Sequence, residues 1–135
     1  MNNCITFLLI TDKEWINEIS LITDNMQDAN SGDSIQVQIC QNQQCCKTPT
    51  LPGKYERGST SKFTGFDLGI CYNMPINVEE DIKVTINTIS TDGWKGAFVT
   101  IHSTFDRASK CYISKWLDLP ESESYESTCH QEGNH

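Results

Sequence analysis

Cysteines are the residues of this 135-residue chain best suited to chemistry, and there are seven of them. Cys40, Cys45, Cys46, Cys71, Cys111 and Cys129 make an even set, with Cys4 left over. Thiolate ligation of zinc wants paired C-x-x-C knuckles. None is present, and the C-x4-CC run at 40–46 is a poor chelating frame. An even set without metal spacing reads as a disulfide framework, which implies an oxidising, extracellular compartment. Many pairings are open to six cysteines. Cys111 with Cys129 is the expected bridge across the final strand pair, while Cys40, Cys45, Cys46 and Cys71 supply two more.

Other reactive side chains lack the spacing that catalysis needs. There is no G-x-S-x-G nucleophile turn and no glycine-rich phosphate loop. His102 sits between Ile101 and Ser103 on an expected strand, the setting of an ordinary surface or half-buried histidine. His130 and His135 follow Cys129 in the order Cys-His-x4-His, but in a segment that reads as a tail, with no preorganised geometry for a metal. Glu79-Glu80-Asp81 reads as a solvated charge run in a turn. On these grounds the chain is expected not to be an enzyme.

Charge narrows the partners. The formal net charge is −8 and the pI about 4.7. Residues 1–34 carry six acids and Lys13, and residues 119–135 carry four glutamates and no Lys or Arg. The body between them is close to neutral. Nucleic acid is excluded as a partner, since phosphate binding needs a surplus of bases. No apolar run approaches the roughly 18–20 residues of a membrane span. The stretch Ile5-Thr6-Phe7-Leu8-Leu9-Ile10 is too short for a signal core, with no base before it and no small-residue cleavage site after it. The start is read as truncated, or as cut from a longer chain, and secretion is inferred from the cysteines alone.

The elements that must position these residues are strands. Ile35-Gln36-Val37-Gln38-Ile39 and Ile82-Lys83-Val84-Thr85-Ile86 alternate apolar and polar residues, and Phe98-Val99-Thr100-Ile101 does so more loosely. Residues 16–22 are readable as strand or short helix. Turn formers separate these runs at 28–33, 48–53 and 90–93. Short strands with turn signals between them read as an antiparallel sandwich. Trp94, Trp116, Phe63, Phe98 and Leu68 are the expected large core fillers, with the Ile and Val positions. The organisation is an extension over 1–14, one sandwich over 15–129 and a tail over 130–135.

Four segments carry a family resemblance. Asp28-Ala29-Asn30-Ser31-Gly32-Asp33-Ser34, set between two strands, resembles the opening hairpin of PLAT/LH2 domains, the lipoxygenase-homology sandwiches related to C2 domains. Tyr55-Glu56-Arg57-Gly58-Ser59-Thr60-Ser61-Lys62-Phe63 is similar to that family's F-x-R-G-x-x-x-x-F segment. Asp92-Gly93-Trp94 with Val99-Thr100-Ile101 is similar to its G-W-x-x-x-x-V-x-I segment, and residues 111–118 resemble its closing strand. The four occur in family order across about residues 16–119. The resemblance implies an all-β, eight-stranded antiparallel β-sandwich with a binding role. Such domains attach lipases, lipoxygenases, bacterial phospholipases and membrane receptors to a lipid surface or a partner protein. The cysteine set is not general to the family and looks like a disulfide-stapled extracellular branch.

Calcium is the cofactor that the resemblance implies for some members, in loops at one end of the sandwich. Ca2+ takes six to eight oxygen ligands. The matching positions are Asp28 with the carbonyl of Asn30, and Asp92 with the carbonyl of Gly93. A third family aspartate is replaced by Lys54, which turns a negative ligand into a positive charge. Lys54 either reaches between Asp28 and Asp92 as an internal counter-ion, or points to solvent and leaves Asp24 or Asp33 to substitute. Asp28, Asp33 and Asp92 also have a purely local reading, since aspartates hydrogen-bond to turn backbone. Acidity disfavours unassisted docking to anionic lipid, so membrane attachment needs calcium or exposed apolar residues. The expected function is an extracellular, non-catalytic binding module for lipid or protein. The alternative is an accessory domain of a larger lipase-like enzyme or membrane receptor.

Overall fold

In the computed structural model of the chain, the described residues are 14–25, 35–51, 55–88, 94–117 and 124–131, less the side chains of 88, 94, 95, 114–117, 124 and 125. Alternation puts one face of each segment in the core and the other in water, which is the condition for a half-buried strand. The strands are β1 (Glu14–Thr23), β2 (Ile35–Gln41), β3 (Gln44–Lys47), β4 (Thr60–Thr64), β5 (Pro75–Ile76), β6 (Ile82–Thr88), β7 (Trp94–Ser103), β8 (Ala108–Leu117) and β9 (Ser124–Gln131). One 3-10 helix, Gly65–Cys71, joins β4 to β5.

Eight strands follow one antiparallel path, β3-β2-β6-β9-β8-β7-β1-β4, and the two-residue β5 pairs beside β1. The expected eight-stranded sandwich is present, with one short strand added. β6 and β9 pair along their length, whereas β8 and β9 share just two ladder pairs among the described residues, Ser109↔Gln131 and Lys110↔His130, and are held beyond them by Cys111–Cys129 and by Ser127 Oγ donating to the Tyr112 carbonyl at 2.9 Å. The sheet turns over at that short junction, so that β3-β2-β6-β9 packs against β8-β7-β1-β4. Val37, Ile39, Val84 and Ile86 from one layer and Ile16, Ile19, Leu21, Val99 and Ile101 from the other are fully buried. β9 runs two residues past the expected boundary at 129, because His130 and Gln131 make the junction.

Two details correct the sequence reading. The ambiguous run at 16–22 is strand, and its pairing with β7 shifts register between Ile16 and Glu18. That bulge adds one residue and resets the alternation, so Ile16 and Ile19, three apart, both face the core. Phe98 is not a core filler. Val99 and Ile101 take the inward positions of β7, and a period of two then places Phe98 on the outer face. There Lys110 Nζ lies 3.9 Å from its ring centroid, and Tyr112 meets it edge-on at 6.0 Å. Phe63 is half-buried against the core and Leu68 wholly buried. The side chains of Trp94 and Trp116 lie outside the described residues.

Three disulfides staple the sandwich. Cys40–Cys45 crosses the β2–β3 hairpin, Cys46–Cys71 ties β3 to the 3-10 helix, and Cys111–Cys129 joins β8 to β9 beside the junction. The 3-10 helix packs on β1, β3 and β4. Since β3 and β4 are the two ends of the strand path, the helix closes the open side of the sandwich. Leu68 and Cys71 point inward to do so.

Candidate docking surface

The strands present two ends and two outer faces to a partner. Ile35 pairs with Thr88 and Thr23 with Gly96, so the strand ends that bracket 26–34 and 89–93 lie at one end of the sandwich. Gly58 joins this end by donating its N–H to the carbonyls of Thr23 and Asp24 at 3.1 Å. The expected calcium positions Asp28, Asn30, Asp92 and Gly93, with Asp33 and Lys54, fall outside the described residues. Among the described residues no cluster of three His, Cys, Asp or Glu side chains could hold a metal ion. Cys129 is engaged with Cys111, and His130 Nδ1 instead faces Asp81 Oδ1 at 3.1 Å on the surface.

The opposite end is held by charge. Glu14 is 2% exposed, and its Oε2 accepts from Arg107 Nη2 at 2.5 Å. Arg107 Nη1 reaches Glu79 at 3.1 Å. Burial alone would lower the guanidinium pKa, but the hydrogen bonds and charges of Glu14 and Glu79 outweigh it and raise it. Glu79 is therefore more than a solvated member of a charge run: with Arg107 it clips the turn before β6 to β1 and the β7–β8 hairpin. Arg107 gave no sequence signal, because its partners are remote in the chain.

One constellation on the outer face looks superficially catalytic. Ser20 Oγ donates to Glu18 Oε2 at 3.1 Å, and His102 Nε2 lies 3.4 Å from the same oxygen. In a hydrolytic triad the imidazole sits between hydroxyl and carboxylate and takes the hydroxyl proton. Here the carboxylate occupies the middle, so the histidine is not placed as a base for Ser20.

Exposed apolar side chains mark the remaining surface. Phe66 is 101% exposed and Ile70 75% exposed, on either side of buried Leu68 in the 3-10 helix. An open depression of about 440 Å³ beside the helix is walled by Pro49, Thr50, Lys62, Phe63, Phe66 and Asp67. Trp15 and Phe105 form a second, smaller exposure near the β7–β8 turn, where Trp15 and Thr104 exchange hydrogen bonds. Sequence reasoning missed Phe66 and Ile70. Their segment has no regular period, and an apolar residue there is expected to be buried.

No protein-family model matches the sequence, and no curated protein matches it. Solved structures do match. A lipoxygenase variant crystallised with arachidonate superimposes with a TM-score of 0.60 at 18% identity, over 84% of this chain. The alpha-toxins of Clostridium perfringens and Clostridium absonum give 0.53 and 0.55 at 16% and 20% identity, each over 82% of this chain. The matched parts of these proteins are their PLAT/C2-like domains. This chain has the PLAT/LH2 fold. As a PLAT/LH2 sandwich it spans only 16% of the lipoxygenase and 31% of each toxin. Among its described residues no helix is long and apolar enough to cross a membrane.

Proposed function

We propose that this chain is an extracellular, non-catalytic docking module that attaches to a lipid surface. The observation that carries this reading is the likeness in fold to the domains of a lipoxygenase and two alpha-toxins. The three disulfides support an oxidising, extracellular setting. Co-sedimentation with phosphatidylcholine vesicles, in calcium and in chelator, tests it. Retention in at least one condition is expected, and retention in neither removes the lipid reading in favour of a protein partner.

Calcium assistance is a separate part of the proposal, resting on Asp28, Asn30, Asp92 and Gly93. A thermal melt of the oxidised protein in millimolar calcium and in chelator tests it, since a ligand that binds only the native state raises its stability. A rise of several degrees assigns the metal to these loops. No shift removes calcium assistance and supports Lys54 having replaced the ion.

A second reading is an accessory domain that positions the catalytic or membrane part of a larger lipase-like enzyme or receptor. It is favoured by the small share of the neighbours' chains that this fold occupies, 16–31%. Coding sequence for a lipase-like or receptor-like part contiguous with this domain would support it.

A further inference from the structure

We propose that the 3-10 helix Gly65–Cys71 is a calcium-independent anchor, inserting Phe66 and Ile70 into a zwitterionic lipid surface; this rests on the lipid-docking reading above and names the site and the lipid class. Phe66 stands wholly clear of its neighbours and Ile70 nearly so, which is an unfavourable exposure for large apolar groups in water. The fold does not require it. Leu68 and Cys71 make the helix's inward contacts, and Cys46–Cys71 and Leu68 hold the helix in place without them. With the segment seated by Leu68 and stapled through Cys71, the backbone that carries both apolar side chains is in place before contact, so less ordering is lost on insertion than for a free loop.

Size and charge select the occupant. Two protruding side chains fall far short of the about 800 Å² that each partner buries in a stable protein interface. They suit partial entry into the boundary between headgroups and acyl chains, where apolar area drives binding. Lys62 and Asp67 share the depression beside Phe66 and offset each other formally. The depression beside Phe66 is therefore formally neutral on a chain of net charge −8. Anionic headgroups would repel the chain as a whole, whereas a phosphocholine surface would not.

The test compares the oxidised full chain with the F66S/I70S double variant on vesicles of phosphatidylcholine, alone and mixed with phosphatidylserine, in chelator and in calcium. Wild type is expected to bind pure phosphatidylcholine in chelator and to bind less as phosphatidylserine is added. The variant should lose more than about tenfold in partitioning, with an unchanged melting temperature because both side chains are exposed. Equal binding by variant and wild type overturns the helix anchor while leaving lipid docking intact. Binding that appears only with calcium and survives the double substitution moves the site to the end of the sandwich whose strand ends bracket 26–34 and 89–93. Failure of wild type to bind any vesicle overturns both readings.

Discussion

Tyr55 illustrates how much a single residue depends on its surroundings. It is fully buried, and its hydroxyl donates to the Leu51 carbonyl. Burial pushes the phenol well above its ordinary value of 10.0. With the folded value above the unfolded one, Tyr55 contributes its full stability below pH 10 and loses it as pH rises toward the folded value. The melting temperature is thus expected to fall on alkaline titration from about pH 10. Tyr55→Phe should remove this component while costing about 1 kcal/mol at neutral pH, the net worth of one hydrogen bond. The pH dependence of thermal unfolding in the two proteins checks both statements. The family-like segment picked out Tyr55 as an aromatic position, but its partner Leu51 lies before that segment. Phe98 shows the reverse case. Its hydrophobicity pointed inward, and the phase of β7 turned it outward under Lys110.

At the scale of elements, the 3-10 helix is the piece least visible beforehand. Gly69 interrupts it with φ 57° and ψ −131°, a conformation that favours glycine. A Cβ at this position would also lie 2.8 Å from Pro49 Cδ. Backbone strain and the clash with a proline ring act together in Gly69→Ala, so a loss of about 3 kcal/mol is expected. Denaturant unfolding measures it, and a loss below about 0.5 kcal/mol, the scale of an ordinary surface change, would count against this packing. The regular strands were far easier to read. β2 and β6 alternate without interruption, so the period of two alone identifies their buried faces. The run at 16–22 resisted assignment because its bulge sets two core isoleucines three apart, a spacing that helix and bulged strand share.

For the molecule as a whole, the β-ladder that joins the two layers is short. β8 and β9 share two ladder pairs among the described residues, and Cys111–Cys129 lies beside them, closing a separation of 18 residues. Removing that bridge in a Cys111→Ala/Cys129→Ala variant should cost about 3 kcal/mol by loop-closure entropy. Thermal or denaturant unfolding of the oxidised proteins would register it. What the sequence by itself determined is the regular strands such as β2 and β6, the sandwich they build and an even cysteine set fit for disulfides, because alternation, turn formers and cysteine count act locally or by composition. Only the tertiary structure decided how Cys40, Cys45, Cys46 and Cys71 pair, that Glu14, Arg107 and Glu79 meet, and that Phe66 and Ile70 face water. Each of these depends on distances between residues far apart in the chain, and such distances exist only once the sheet has turned over at β8 and β9 and the 3-10 helix has closed its open side.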